Sequence, residues 1–451
     1  MPAESMDRRQ FLKVSAEVPI VAGMAAQAGS SPLVSAISQE DDPERKQRIE
    51  SNQQIQRARQ VALKILKPSN KELEHGLELH KNSLVVELYG FSPRAALDAN
   101  KVRAAAEAGA SEIELRNVKE DMQITRCVTD PLERQEYIDA WEAAGVTCIF
   151  ENAGDAGMSI GLLLERLAPF TYVTDMMYDF VYKAVTPDDI VNAKKQNKHC
   201  LYFMTCGVPI PQDWVSVEEE LRYIRLFFQL GVRMMHLTYN RRNVIGDGCG
   251  EPNDGGLSDF GRAVIAEMNR LGVIVDVAHC GWRTSREAAE VSDRPIVASH
   301  TTCESIHEHI RSKPDNVIRA IVDKGGLIGI CCVPVFLGGK GDIAKMMQHI
   351  DYAVKTFGAD HVAIATDVGY TSRMAAEQNK RLPKRRKTRN GWERLWPGDS
   401  YPAFEENSQL SMAWTNWPLF TVGLVQLGYS DSDIQKILGG NALRVARAVL
   451  A

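Results

Sequence analysis

From about residue 81 onward the chain alternates between short apolar runs and longer amphipathic stretches. The runs read SLVVELYG, SEIELRNV, VTCIFENAG, HCLYFMTCG, VRMMHLTYN, VIVDVAH, PIVASH, GLIGICCVPVF and HVAIATDVGY. Near-continuous apolar runs of this length fit strands buried on both faces, as in a parallel sheet. Between them, stretches such as SVEEELRYIRLFFQLG, SDFGRAVIAEMNRLG and KPDNVIRAIVDKG carry helical spacing and end on glycine, the usual helix stop. Eight or nine strand–helix units in succession predict an α/β protein, either a (β/α)8 barrel of the TIM type or an open doubly wound sheet. No GxGxxG follows the first run, which weakens the nucleotide-binding version. The last stretch, NWPLFTVGLVQLGYSDSDIQKILGGNALRVARAVL, predicts two helices, with Ser430 or Asp431 capping the second.

Three of the runs deliver a polar residue to their C-terminal ends: His279, His300 and Asp367. In a barrel, reactive groups collect at that end of the strands. Two imidazoles and a carboxylate converging there make a candidate divalent-metal site. The bland reading is two hydrogen-bonded core histidines and an aspartate capping a loop.

The segment before residue 81 reads differently. Arg8-Arg9-Gln10-Phe11-Leu12-Lys13 resembles a bacterial twin-arginine export motif, followed by a weakly apolar stretch and Ala26-Gln27-Ala28 as a cleavage site. Glu17 within the apolar stretch counts against it. Residues 1–28 are therefore expected to be a signal peptide, giving a periplasmic or extracellular protein. Residues 29–80 are polar and helix-prone, expected to form a helical linker, an N-terminal extension to the barrel at 81–451.

Composition adds mainly exclusions. With 451 residues, 44% hydrophobic and 25% charged, the chain is an ordinary globular one. A net charge of −5 gives no reason to expect nucleic acid. No apolar run is long enough for a transmembrane helix. The nine cysteines include no CxxC pair, so neither a zinc knuckle nor a disulfide framework is expected.

Several pieces together resemble the membrane (renal) dipeptidase family of zinc-dependent barrel hydrolases: FFQLGVRMMHLTYNRRN, LSDFGRAVIAEMNRLGVIVDVAHCGW, PIVASHTTC, RSKPDNVIRAIVDKGGLIGI, FGADHVAIATD and LGYSDSDIQKILGGNALRVAR. The resemblance covers roughly residues 160–451, and more loosely 81–160. It implies a metallo-dependent hydrolase barrel holding two zinc ions. One ion would be bound by a His-x-Asp pair on the first strand and an Asp on the last, with a bridging Glu on a middle strand and two later His on the second ion. His279 and His300 match those later His, Asp367 matches the last Asp, and Arg311 matches an arginine that contacts the substrate carboxylate. The rest departs from the pattern. Tyr89 and Phe91 stand where the His-x-Asp pair is expected, Thr205 or Cys206 where the bridging Glu should be, and Tyr239 where a His polarises the substrate carbonyl.

The expected metal ligands are thus His279, His300, Asp367 and Cys206, with one zinc favoured over two because the first site keeps Asp367 alone. Glu87, Glu151 and Asp276 are further donors, and buried thiol is the default for Cys206. Asp367 is the candidate general base and Tyr239 a donor replacing the lost His. Arg311, Asn240 and Arg241 are candidate substrate contacts, beside Arg242 and Asn243. His236 reads as structural, while His307 and His309 are pocket candidates. The insertion at 381–399, RLPKRRKTRNGWERLWPGD, is either a lid over the active face or a solvated loop. The leading expectation is a metal-dependent hydrolase of a dipeptide or small amide. The alternative is a non-peptidase descendant that binds or converts a small acidic or peptide-derived molecule; an inactive homologue is weaker. A homodimer is left open.

Overall fold

The structure is a computed structural model, described over residues 43–154, 157–383, 391–398 and 404–450. The twin-arginine segment, the start of the 29–80 segment and residues 384–390 of the insertion lie outside the described residues. Among the described residues no helix is long and apolar enough to cross a membrane.

Eight strands form one parallel sheet in the order β1 (Val86–Gly90), β2 (Cys148–Asn152), β4 (His199–Thr205), β5 (Met234–His236), β6 (Ile274–Asp276), β7 (Val297–Cys303), β9 (Leu327–Ile330) and β10 (Val362–Ile364). Two short strands pair from outside this path, β3 (Val181–Ala184) on β4 and β8 (Ser312–Lys313) on β7. With a helix between most successive strands, this is the (β/α)8 barrel that the alternating pattern predicts. The strands are buried on both faces, which is why they read as apolar runs.

The seam between β1 and β10 is closed by a side chain. The fully buried Glu87 carboxyl group accepts the Thr366 N–H at 3.1 Å, the Thr366 hydroxyl, and the Trp414 indole N–H at 2.6 Å. A Cβ at Gly90 would collide with that carboxyl group, so the close approach requires glycine. Just beyond, the Asp367 N–H donates to the Tyr89 carbonyl at 3.2 Å.

One expectation changes. SEIELRNV lies in a helix, Glu112–Thr129, because Ser111 and Glu114 form a capping box at its start. Its alternation was a false strand signal, and Ile113 ends up 63% exposed. Residues 43–82, expected to be a helical surface linker, form three helices, Pro43–Ser51, Gln53–Leu66 and Asn70–Asn82, that bury Ile55, Ala58, Ala62 and Leu79. Asn52 caps the second of these, and its amide also donates to the Tyr370 hydroxyl at 3.0 Å. That bond ties the extension to the loop after β10. At the other end, Ser430 caps the helix Asp431–Gln435.

Candidate metal centre

His236 and Asp276 are paired in register on neighbouring strands β5 and β6. Met234 and Ile274, two residues earlier on each strand, belong to the barrel-interior cluster, so alternation points His236 and Asp276 inward as well. His236 Nε2 lies 2.7 Å from Asp276 Oδ2, with both side chains fully buried. The two atoms are at ion-pair distance without forming an aligned hydrogen bond, and the Cys206 thiol also interacts with His236. The second carboxylate oxygen is well held, by the N–H groups of Ala278 at 2.9 Å and Ser299 at 3.0 Å. Burial opposes charge on both groups, but their mutual attraction wins, raising the His236 pKa and lowering that of Asp276.

His279 and His300 come from the ends of the next two runs, and their Nε2 atoms face each other at 3.0 Å. Behind them, His279 Nδ1 meets Asn240 Oδ1 at 2.9 Å and His300 Nδ1 meets the Ser299 hydroxyl at 2.8 Å. With the Asn240 oxygen as acceptor, His279 carries its proton on Nδ1 and directs a lone pair from Nε2 into the site. Burial, reinforced by the Arg311 guanidinium, holds both rings well below the ordinary histidine pKa and so keeps them neutral. Neutral imidazoles with an outer hydrogen bond on the second nitrogen are what a divalent ion requires.

Each of these rings is covered by a tyrosine. Tyr89 stacks on His300 with centroids 3.8 Å apart, and Tyr239 on His279 at 4.0 Å. The Tyr89 hydroxyl contacts Cys206 Sγ at 3.3 Å and accepts from the Asn152 amide at 3.1 Å. Burial raises both phenols above their usual pKa, so both remain protonated near neutrality. Thr205 turns away, donating to the Gly207 carbonyl at 2.7 Å.

Asp367 sits just past β10 with φ of 57°, a left-handed conformation that aspartate tolerates better than most residues. Its carboxylate is enclosed by protein, yet the residue is only half-buried because it walls a cavity of about 450 Å³. Burial raises its pKa to about 6, against the opposing pull of Arg311 and His236. Leu410, Met412 and Trp414 supply the apolar side of that cavity. The histidines do not line it.

The candidate substrate contacts are placed as follows. Arg311 is fully buried and donates to the carbonyls of Ala278 and, at 3.0 Å, His300, so its fork holds the two strand ends. Asn240 orients His279 and lines none of the cavities described. Arg241 donates to the carbonyls of Gly250 at 2.8 Å and Leu395 at 3.1 Å and lies over the Trp392 ring, which anchors part of the 381–399 insertion. His307 and His309 are half-buried and stacked on each other, with His309 beside Phe336, and line none of the described cavities. Glu87 is taken up at the seam, and Glu151 accepts the Ser92 N–H at 2.6 Å with Arg94 at 3.5 Å. A second cavity, of about 280 Å³, is walled by Phe91, Arg94 and Arg166 and shares Gly369 and Thr371 with the first. The cluster His236, Asp276 and His300 offers three ligand atoms within 4.8 Å of one another. His236 was read as structural; its period-two spacing from Met234 was the signal that placed it inside the barrel.

Residues 78–384, more than half of the chain, match the family model for membrane dipeptidase, peptidase family M19. The chain belongs to the membrane dipeptidase family. Among curated membrane-dipeptidase relatives, dipeptidase verJ of Clonostachys rogersoniana is 27% identical over 229 residues, half of each chain. Dipeptidase aclJ of Aspergillus oryzae is 32% identical over 150 residues, covering 32% of this chain and 36% of that protein. The matched stretches thus span half or less of these relatives. Among solved structures, the probable dipeptidase PvdM of Pseudomonas aeruginosa superposes with a TM-score of 0.60 at 17% identity, over 85% of this chain and 99% of that one. An amidohydrolase from Pseudomonas aeruginosa gives 0.59 at 24% identity, over 83% and 99%. These structural likenesses show the fold.

The residues present fit one ion of the family's pair and not both. Tyr89 and Phe91 give the first ion no ligand from β1, and Tyr89 is packed on His300. The second ion keeps His279 and His300, whose Nε2 atoms meet at 3.0 Å and whose outer nitrogens are hydrogen-bonded.

Proposed function

We propose that this membrane-dipeptidase family member is a metal-dependent hydrolase of a dipeptide or small amide, working with a single divalent ion, most naturally zinc. The facing Nε2 atoms of His279 and His300, each backed by a hydrogen bond, carry this reading. The names of its relatives, dipeptidases and an amidohydrolase, support the substrate class.

When bound, the ion supplies Lewis acidity and an activated water. Asp367 would serve as the proton acceptor, since a carboxyl with pKa about 6 is mostly ionised at neutral pH yet basic enough to accept a proton. Tyr239, protonated and stacked on His279, donates its O–H to the developing oxyanion. Arg311 bonds two backbone carbonyls, so the substrate carboxylate is assigned to Arg94, which lies over the Phe91 and Phe170 rings with a long 3.5 Å contact to Glu151 and walls the smaller cavity. The twin-arginine-like start supports export of the folded protein.

A second reading follows from the loss of the first-strand ligands: the barrel performs a non-hydrolytic conversion of a small acidic or peptide-derived molecule. A panel of dipeptides and N-acyl amino acids, assayed with added Zn2+ and with chelator, separates the two. Chelator-sensitive cleavage supports hydrolysis, and no cleavage by zinc-loaded protein rejects it.

A further inference from the structure

We infer that the divalent ion is held by His236 and Asp276 together with His300 and His279, a ligand set drawn from deeper in the barrel than the expected His279, His300 and Asp367. The inference rests on the metal-dependent reading above and specifies its site.

Four observations converge. His236, Asp276 and His300 are all buried and offer ligand atoms within 4.8 Å of one another. His236 Nε2 and Asp276 Oδ2 stand 2.7 Å apart at ion-pair distance without the alignment of an ordinary hydrogen bond, and the Cys206 thiol also interacts with His236. Two atoms that approach closely while aiming past each other are what two ligands of one ion look like. Imperfectly paired polar atoms this deeply buried are costly, and a shared cation removes the cost for both.

The third observation is the spacing of the imidazoles. The centroid separations are 5.4 Å for His236–His279, 5.4 Å for His236–His300 and 5.0 Å for His279–His300. Three imidazoles on one ion, each nitrogen about 2 Å from it, would put their ring centroids roughly 5 Å apart, and with Asp276 as the fourth donor a water would enter as a fifth ligand. The fourth is the outer support. Asp276 Oδ1 takes two backbone N–H groups, His279 is held by Asn240 and His300 by Ser299. Second hydrogen bonds of this kind fix ligand orientation.

The bland alternative is a buried His236–Asp276 ion pair. It accounts for the 2.7 Å separation but not for the missing alignment, nor for the other two imidazoles facing the same space. On metal uptake the proton shared by this pair leaves to solvent and the cation takes its place. The imidazole-rich set suits zinc, copper or nickel over magnesium or calcium.

The test uses the full chain, stripped with chelator and reloaded with Cu2+, with pulsed EPR counting the coordinated imidazoles. Three are expected; two would overturn the inference while leaving the single-ion hydrolase reading in place. No uptake of Cu2+ or Zn2+ would overturn both. In parallel, zinc content is measured for His236→Gln and Asp367→Asn variants whose fold is checked by circular dichroism. At equal chelator concentration the first should lose at least tenfold in occupancy and the second should match the unsubstituted protein. The reverse pattern would overturn the inference, and if His236→Gln does not fold, the imidazole count decides alone.

Discussion

Tyr89 lies flat against His300, ring centroids 3.8 Å apart and planes 17° from parallel. Tyr89 stands where the resemblance to the family places a metal-binding histidine, and it packs on His300, a proposed ligand. The phenol oxygen is engaged with Cys206 and Asn152. Tyr89→Phe keeps the plate and removes only those contacts, so metal content should stay unchanged while stability falls by about 1 kcal/mol. Elemental analysis and urea melts check this. A loss of metal in that variant would make the phenol a ligand and contradict the account.

Asn240 acts through His279. Its oxygen fixes the imidazole tautomer that leaves Nε2 unprotonated and facing His300. Asn240→Leu removes that acceptor, and metal affinity should fall by about 10–100-fold, as for other outer-shell partners. Competition against a chromogenic chelator measures it. Unchanged affinity would show that Asn240 serves packing alone.

The Glu87 clasp makes stability depend on pH. Burial raises its pKa to about 8, against the pull of the Thr366 and Trp414 donors. The folded state therefore keeps a proton that the unfolded chain releases above its ordinary value near 4.5. The stability this contributes is fully present below that value and is lost as pH rises toward 8, at no more than about 1.4 kcal/mol per pH unit. Glu87→Gln should be less stable at low pH, since its amide cannot satisfy both donor sets, and should lose this slope. Denaturant melts at pH 5, 6.5 and 8 compare the two proteins.

Asp367 should govern the acid side of the rate profile. As pH falls through about 6 its carboxyl takes up a proton and can no longer act as a base. Asp367→Asn should lower kcat by about 10²–10⁴-fold and abolish that limb. Metal content should stay intact. A variant that retained both rate and limb would assign the base elsewhere.

Arg94 is predicted to act on binding. Arg94→Ala should raise KM for dipeptides more than it lowers kcat, with a smaller effect on substrates lacking a free carboxylate. Equal effects on both substrate classes would remove the anion-binding role.

The barrel was legible because parallel strands buried on both faces leave apolar runs, and because helices such as Asp259–Leu271 stop on glycine. SEIELRNV misled because a short alternating run carries both periods, and the Ser111–Glu114 box decided for helix. His279, His300 and Asp367 were visible as polar ends of apolar runs. His236 was not, because MMHL reads as core and nothing local signals that Asp276, 40 positions on, lies beside it. The surroundings of Arg311 were hidden for a related reason: a guanidinium's partners are set by which carbonyls the fold brings to it, here those of Ala278 and His300. Pairings across the barrel are tertiary facts, and local pattern does not encode them.

The most direct test of the single-ion account is elemental mass spectrometry of the full chain, purified without chelator, alongside a dipeptide-hydrolysis assay. The account predicts about one equivalent of zinc and hydrolysis that stops when the metal is removed. Two equivalents would return Tyr89 and its neighbours to a two-ion mechanism, and a metal-free protein that still cleaves dipeptides would contradict the account outright.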